Sequence, residues 1–515
     1  VTLEQRQGLD LSDGHANEPT DGSVAALLSA AARAWPDSDA LVEAASGASL
    51  TWAQFDAAAY GLASRLLEAG VEPGDRVAVR LPTSPDFAVT LFGVMRAGGI
   101  AVPISPQSPG PELHELLEHS GARLVVEREP SADLPANVTS VAPSVSPGEP
   151  VDVGRGGEDI AVISYTSGTT GPPRGVMLSH RALLANIRQL SEIMPPVLER
   201  SDRVLITIPL FHVYGLGPGL LQSTALGAMI VLAERFDAQR ALEACAKYRV
   251  TSIAGVPAMY AEFAALPAQE LGAGLSSIRR LTSGAAPLHP KVLAAIREAT
   301  GLGVFEGYGL TECAPVVTTT MVTGYPKPGS VGSPLPGVEV RLVDSDGLAA
   351  PVELDPTDLD DMFEEEHGGT GLVSIRGENL FSGYWPDGAH GPDAEGWFRT
   401  GDVGYLDVDG DLHLVDRAND LIIVNGFNVF PHEVENVIGL LPEVAEAAVV
   451  GVVDERSGEA VKAVVVPVVG ASLSEQQVVE HCAARLAGYK VPHTVEFAES
   501  LPHSATGKLR RLRLR

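Results

Sequence analysis

At 515 residues, 45% hydrophobic and only 20% charged, the chain is too long for one ordinary core and rich enough in apolar side chains to build several. Its 66 acidic and 36 basic residues leave a formal net charge of −30, which repels phosphate backbones and anionic lipid and so counts against nucleic-acid or membrane-surface binding. Cys245, Cys313 and Cys482 lie far apart with no paired ligand spacing, as expected of reduced thiols in the cytoplasm. Val1 to Asp13 lacks the basic start and apolar run of a secretion signal, and the apolar stretch Ala225–Ala233 stops well short of the roughly 18 to 20 residues a membrane span needs.

Helix and strand patterns alternate along the first half, the signature of a layered α/β protein. Thr51 and Gln54 form a capping box, followed by Phe55, Ala58, Leu62, Leu66 and Leu67 at helical spacing until Gly70. A strand is expected at Val77–Leu81. Ser84 and Pro85 suit an N-cap and a first helical position, and that helix should run to Gly98 before a strand at Ala101–Ile104. A further helix and strand fill Glu112–Glu127, residues 130–150 read as a surface connection, and Ile160–Tyr165 begins a buried strand. Gly410–Asp420 separates the bulk of the chain from a tail of about 100 residues, a length that suits a small domain. The acidic run 353–367 is expected to be a solvated loop.

The strongest local signal is Tyr165-Thr166-Ser167-Gly168-Thr169-Thr170-Gly171-Pro172-Pro173-Arg174-Gly175, a hydroxyl- and glycine-rich loop leaving the buried strand and leading to the helix after Ser179. Glycines let backbone N–H groups converge on an anion, and hydroxyls add donors, so the loop suits a nucleotide's phosphates. It lacks the Gly-Lys-Ser/Thr ending of a Walker loop. Pro209-Leu210-Phe211-His212, Ser283-Gly284-Ala285-Ala286-Pro287, Glu306-Gly307-Tyr308-Gly309-Leu310-Thr311-Glu312, Trp397-Phe398-Arg399-Thr400-Gly401-Asp402, Asp416-Arg417-Ala418-Asn419-Asp420, Gly426-Phe427 and Pro502-His503-Ser504-Ala505-Thr506-Gly507-Lys508 follow in order.

This series, which covers nearly the whole chain, resembles the motifs of the adenylate-forming superfamily, and within it most closely those of fatty acyl-CoA ligases. The resemblance implies a large α/β N-terminal domain of several layered subdomains, residues 1–417, and a small mobile α+β C-terminal domain, residues 418–515. It also implies ATP-dependent conversion of a carboxylic acid to an acyl-adenylate with release of pyrophosphate. The acyl group then passes to a thiol, with coenzyme A the expected co-substrate, and AMP is released.

By the same resemblance, Thr166, Ser167, Gly168, Thr169, Thr170, Gly171 and Arg174 hold phosphates, although the family's usual Lys is Arg174 here. Gly284, Ala285 and Ala286 lie along adenine, where small residues permit close approach, and Glu306, Gly307, Tyr308 and Gly309 complete that site, with Tyr308 stacked on the base. Thr311 meets the α-phosphate. Glu312, with Thr166, holds Mg²⁺, a hard cation that prefers oxygen ligands. Asp402 accepts from the ribose hydroxyls, and Arg417 lies nearby. Asn419 stands where the family hinge usually has Asp or Lys. Gly426 and Phe427 line the thiol tunnel, and Lys508 is the catalytic cation of adenylation. Phe211, His212, Val256, Met259, Gly284 and Gly307 form the acid pocket, with His212 beside the acid's carboxylate. Core packing explains Val256 and Met259 equally well. Two alternatives stay open: an adenylating enzyme serving a carrier protein or a non-thiol nucleophile, and a noncatalytic nucleotide-binding relative.

Overall fold

In the computed structural model the capping box at Thr51 forms as its residues require: the Thr51 hydroxyl accepts from the Gln54 backbone at 3.3 Å and the Gln54 side chain accepts from the Thr51 backbone at 2.9 Å. The structure describes residues 22–514 except 133, 152, 167–172, 345–369, 418–419, 421, 425–426, 455–457 and 504–508; for Arg417 and Phe427 it describes the backbone alone. The helix behind the capping box, Trp52–Glu68, buries Phe55, Leu62 and Leu66 completely. Each such side chain contributes about 1.5–3 kcal/mol by leaving water. Ser84 caps the helix Pro85–Arg96, whose Phe92 meets the Phe55 ring edge-on at 5.5 Å. Gly93 permits this approach, since a Cβ there would stand 3.0 Å from the Leu62 side chain.

The described contacts fall into two units, Val1–Glu339 with Arg376–Phe398, and Val340–Ile375 with Arg399–Arg515. The first carries two sheets. One has six strands in the order Thr139–Val141, Leu124–Glu127, Arg76–Arg80, Ile100–Pro103, Ile160–Thr166, Arg174–Ser179, all parallel except the last pair. The other has nine, in the order Ser333–Pro334, Val316–Thr319, Val304–Gly309, Arg280–Ser283, Ser252–Gly255, Arg203–Ile206, Met229–Leu232, Asp39–Glu43, Ser49–Thr51. Its six central strands are parallel and its edges antiparallel. Parallel strands covered on both faces need continuous apolar runs, and Leu205, Val231, Ile253 and Leu281 are fully buried.

The second unit carries the four-stranded order Glu339–Val343, Gly371–Arg376, Trp397–Leu406, Leu412–Arg417. It also carries a five-stranded sheet centred on Val444–Asp454 and Gly458–Pro467. The helices Pro431–Gly439 and Glu475–Ala483 pack Val434, Ile438, Val478 and Cys482 against Val449, Val461 and Val465 of that sheet. The architecture is α/β, with a large first unit and a small second one.

Three expectations change. The connection 130–150 contains the short edge strand Thr139–Val141, parallel to Leu124–Glu127. A second strand, Arg174–Ser179, stands between the glycine-rich loop and the helix His180–Ser191, so the loop closes a hairpin instead of leading straight into a helix. The stretch Gly410–Asp420, expected to separate the bulk of the chain from its tail, holds the strand Leu412–Arg417, antiparallel to Trp397–Leu406. The acidic run 353–367 lies outside the described residues. All three cysteines are buried and none is in a disulfide, and no helix among the described residues is long and apolar enough to cross a membrane.

Candidate active site

The central strands of the nine-stranded sheet end level with one another: Ile206 pairs with Ala254, Gly255 with Ser283, and Ser283 with Glu306. Every motif of the second half of the first unit leaves one of these carboxyl ends, where ligands of open parallel sheets bind. After Ile206 come Phe211 and His212, both half-buried; the His212 ring nitrogen Nδ1 accepts from the Tyr214 backbone at 3.2 Å. After Gly255 comes Val256, half-buried, and Met259, which is buried in the core and accepts from the Thr207 hydroxyl at 3.4 Å. The Tyr214 ring packs toward Gly284, where a Cβ would stand 3.3 Å from it, and its hydroxyl lies 3.3 Å from that of Thr282.

Gly284 and Ala286 flank Ala285, whose φ of +72° lies in the left-handed region that costs a residue with a Cβ about 1 kcal/mol. The turn is held from below. Leu288 donates its backbone N–H to the Glu306 carboxyl at 3.2 Å, and the Thr320 hydroxyl accepts from the Glu306 backbone at 3.0 Å. Burial raises the Glu306 pKa to about 7 against the opposing Leu288 bond.

Beyond Glu306, the strand bulges between Tyr308 and Gly309, and Tyr308 is buried. Gly309 admits no other residue, because a Cβ there would lie 2.1 Å from the Pro315 carbonyl oxygen. A Cβ at Gly307 would stand 3.0 Å from the Thr318 carbonyl oxygen. The bulge delivers the chain into the 3₁₀ turn Thr311–Cys313, which leaves Thr311 and Glu312 half-buried.

The Glu312 carboxylate accepts from the Tyr384 hydroxyl at 2.6 Å, and the Arg174 guanidinium carbon sits 5.7 Å from the Tyr384 ring centre. Burial and then the Glu312 charge raise the Tyr384 pKa, so the phenol stays a donor. Thr166 pairs with Arg174 across the mouth of the hairpin. The structure therefore joins the loop end, Thr166 and Arg174, to the acidic turn through a tyrosine that sequence reasoning missed: Tyr384 has no charge and no motif of its own, and its partner is remote in the chain.

In the second unit, Asp402 is buried, its backbone N–H donating to the Thr400 hydroxyl at 3.1 Å, and it pairs in register with Arg417 on the neighbouring strand. Phe427 opens the strand Phe427–Val429. Ser167, Gly168, Thr169, Thr170, Gly171, Asn419, Gly426 and Lys508 lie outside the described residues.

Residues 28–385 match the family described as AMP-binding enzyme, and residues 433–508 match the AMP-binding enzyme C-terminal domain. The chain belongs to the AMP-binding enzymes. A feruloyl-CoA synthase of Amycolatopsis sp is 37% identical to this AMP-binding enzyme over 90% of the chain and 93% of that relative. Among solved structures, ATP-bound MatB from Rhodopseudomonas palustris is similar with a TM-score of 0.86 at 30% identity, over 95% of this chain and 98% of that one. The o-succinylbenzoate CoA synthetase MenE of Bacillus subtilis, in complex with its acyl-adenylate intermediate, is similar with a TM-score of 0.81 at 28% identity, over 95% and 97%. This AMP-binding enzyme is an acid–thiol ligase: it binds ATP, activates a carboxylic acid as its acyl-adenylate, and passes the acyl group to a thiol.

Proposed function

We propose that the thiol is coenzyme A and that the acid is aromatic, of the phenylpropenoic or arylalkanoic kind. The observation that carries this reading is the 37% identity to a feruloyl-CoA synthase along nearly the full length of both chains. In this reading Phe211, Val256 and Tyr214 would supply apolar surface beside Gly284 and Gly307, and His212 would face the acid's carboxylate, while Met259 packs in the core. The use of ATP together with three buried cysteine thiols supports a cytoplasmic location.

Two anions must meet when a carboxylate attacks the α-phosphate, and fixed cations and donors offset their repulsion best where water is excluded. In this reading Thr166 to Thr170 and Arg174 hold the β- and γ-phosphates, Thr311 the α-phosphate, Tyr308 the adenine along Gly284–Ala286, and Asp402 and Arg417 the ribose. Mg²⁺ fits the acidic turn. This ion takes one or two carboxylates and completes its shell with phosphate and water; Glu312 supplies such a carboxylate, Thr166 a neighbouring hydroxyl, and no cluster of three acidic, His or Cys ligands competes among the described residues. When bound, Mg²⁺ neutralises phosphate charge. Lys508 would supply the second cation as pyrophosphate leaves. The small domain, taken as residues 418–515, then turns about Asn419 so that Gly426 and Phe427 replace Lys508 and admit the thiol.

The test is ATP–pyrophosphate exchange over ferulate, coumarate, indoleacetate, benzoate and a long-chain fatty acid, followed by mass spectrometry of the product with and without coenzyme A. Exchange with the fatty acid alone overturns the aromatic assignment; exchange without any acyl-CoA product overturns the acceptor.

A further inference from the structure

The segment Asn379–Trp385 ties two parts of the site together. Toward the acidic turn, the Phe381 backbone N–H donates to the Glu312 carbonyl at 2.9 Å, and the Asn379 side-chain amide donates to the Cys313 carbonyl at 2.8 Å. Toward the strand Arg174–Ser179, Ser382 N–H donates to the Met177 carbonyl at 2.9 Å and Trp385 N–H to the Gly175 carbonyl at 2.7 Å. Tyr384 is thus fixed on both sides, its ring edge-on to Phe381 at 5.1 Å and beneath Arg174. Its hydroxyl reaches one particular oxygen, Glu312 Oε1, at 2.6 Å, the length of a hydrogen bond to an ionised acceptor.

We propose that Tyr384 is a positioning residue that sets the cation preference of the site, by engaging Glu312 Oε1 so that the carboxylate meets a divalent cation through Oε2 alone. Mg²⁺ demands near-octahedral geometry and keeps several waters, which one-oxygen ligation suits; Ca²⁺ is larger and accepts both oxygens of a carboxylate. The Arg174 guanidinium carbon, 5.7 Å from the ring centre, places a cation over the same ring. This inference rests on the assignment of the cation to Glu312.

The test uses the whole protein without acid, so that no adenylation occurs. ATP affinity is measured by titration calorimetry in EDTA, in Mg²⁺ and in Ca²⁺ for the wild type, Tyr384→Phe and Glu312→Gln. Loss of a charge-assisted bond should weaken the Mg²⁺ enhancement of ATP binding in Tyr384→Phe by about tenfold, leave the Ca²⁺ enhancement within about twofold of wild type, and leave affinity in EDTA unchanged. Equal losses in EDTA, Mg²⁺ and Ca²⁺ would mean that Tyr384 only supports the fold, and would overturn the inference. So would an unchanged ratio of Mg²⁺ to Ca²⁺. If Glu312→Gln keeps the full Mg²⁺ enhancement, the underlying cation assignment fails; if Glu312→Gln loses it and Tyr384→Phe does not, only the role of Tyr384 fails. Should Tyr384→Phe not fold, Tyr384→Gln, which keeps a donor on a shorter stem, takes its place, with a preserved Mg²⁺ preference supporting the inference and a uniform loss overturning it.

Discussion

The carboxyl of Glu306 accepts the backbone N–H of Leu288 at 3.2 Å, and by that contact a buried acid supports the turn containing the strained Ala285. Burial holds the folded-state pKa near 7, above its ordinary value of 4.5. Between those values the folded chain keeps a proton that the unfolded chain has lost, so stability falls as pH rises through this window. Glu306→Gln keeps an acceptor for Leu288 and cannot ionise. Relative to wild type it should gain up to about 3 kcal/mol in stability between pH 4.5 and 8, read from urea unfolding at each pH. Parallel pH profiles for the two proteins would show that Glu306 ionises normally.

Arg511 is 8% exposed, is paired with Glu435, donates to the Val449 carbonyl at 2.8 Å and lies against His432. Burial alone would raise the Glu435 pKa, but the bonds from His432 and Arg511 outweigh it and bring it down to about 2. Arg511→Met should cost roughly 3–5 kcal/mol, because it leaves a buried carboxylate without its guanidinium partner. Arg511→Met with Glu435→Leu should recover most of that loss. A single-variant cost below about 1 kcal/mol in thermal or urea unfolding would contradict the buried pair.

Glu312→Ala and Asp402→Ala test the nucleotide assignments in each unit. Each removes an ionised acceptor whose bonds contribute about 1.5–3 kcal/mol apiece, so ATP-dependent exchange should fall about a hundredfold or more while the melting temperature moves by only a few degrees. Near-normal exchange in either variant removes that residue from the site.

Lys508→Ala and Asn419→Pro test the proposed alternation between half-reactions. Lys508→Ala should lose adenylate formation by about a hundredfold or more, the usual cost of one transition-state contact, yet convert supplied acyl-adenylate to thioester at nearly the wild-type rate. Asn419→Pro, with φ fixed near about −65°, should adenylate and fail in transfer. Exchange and single-turnover thiol transfer are measured for both; parallel loss of both steps in both folded variants speaks against rotation of the small domain.

Local chemistry made much of the fold legible. The Thr51 capping box, the Ser84–Pro85 helix start and the buried strand from Ile160 each depend on neighbours a few residues away, and each forms where its pattern lies. The strands Thr139–Val141 and Leu412–Arg417 escaped because the first is three residues long and carries two hydroxyls, and the second sits among turn-forming Gly and Asp. Arg174–Ser179 escaped because its partner strand, not its own pattern, makes it extended. In the candidate site the glycine-rich run Glu306–Glu312 announces itself, since Gly309 is required by a backbone 2.1 Å from its missing Cβ. Tyr384 does not: its contact with Glu312 spans 72 positions, and no short-range pattern encodes a pairing of that length.

The strap Asn379–Trp385 also bears on how the enzyme comes to life during synthesis. The strands that present the glycine-rich loop and the acidic turn leave the ribosome long before residue 384, and chains fold from their N-terminal parts as they emerge. Until the strap arrives, the loop end at Arg174 and the carboxylate of Glu312 lack the piece that spans them, so a nascent chain halted before residue 379 has the loop end and the acidic turn and no bridge between them. A chain that ends before residue 384 therefore also lacks the hydroxyl from which Glu312 accepts and the ring beneath Arg174.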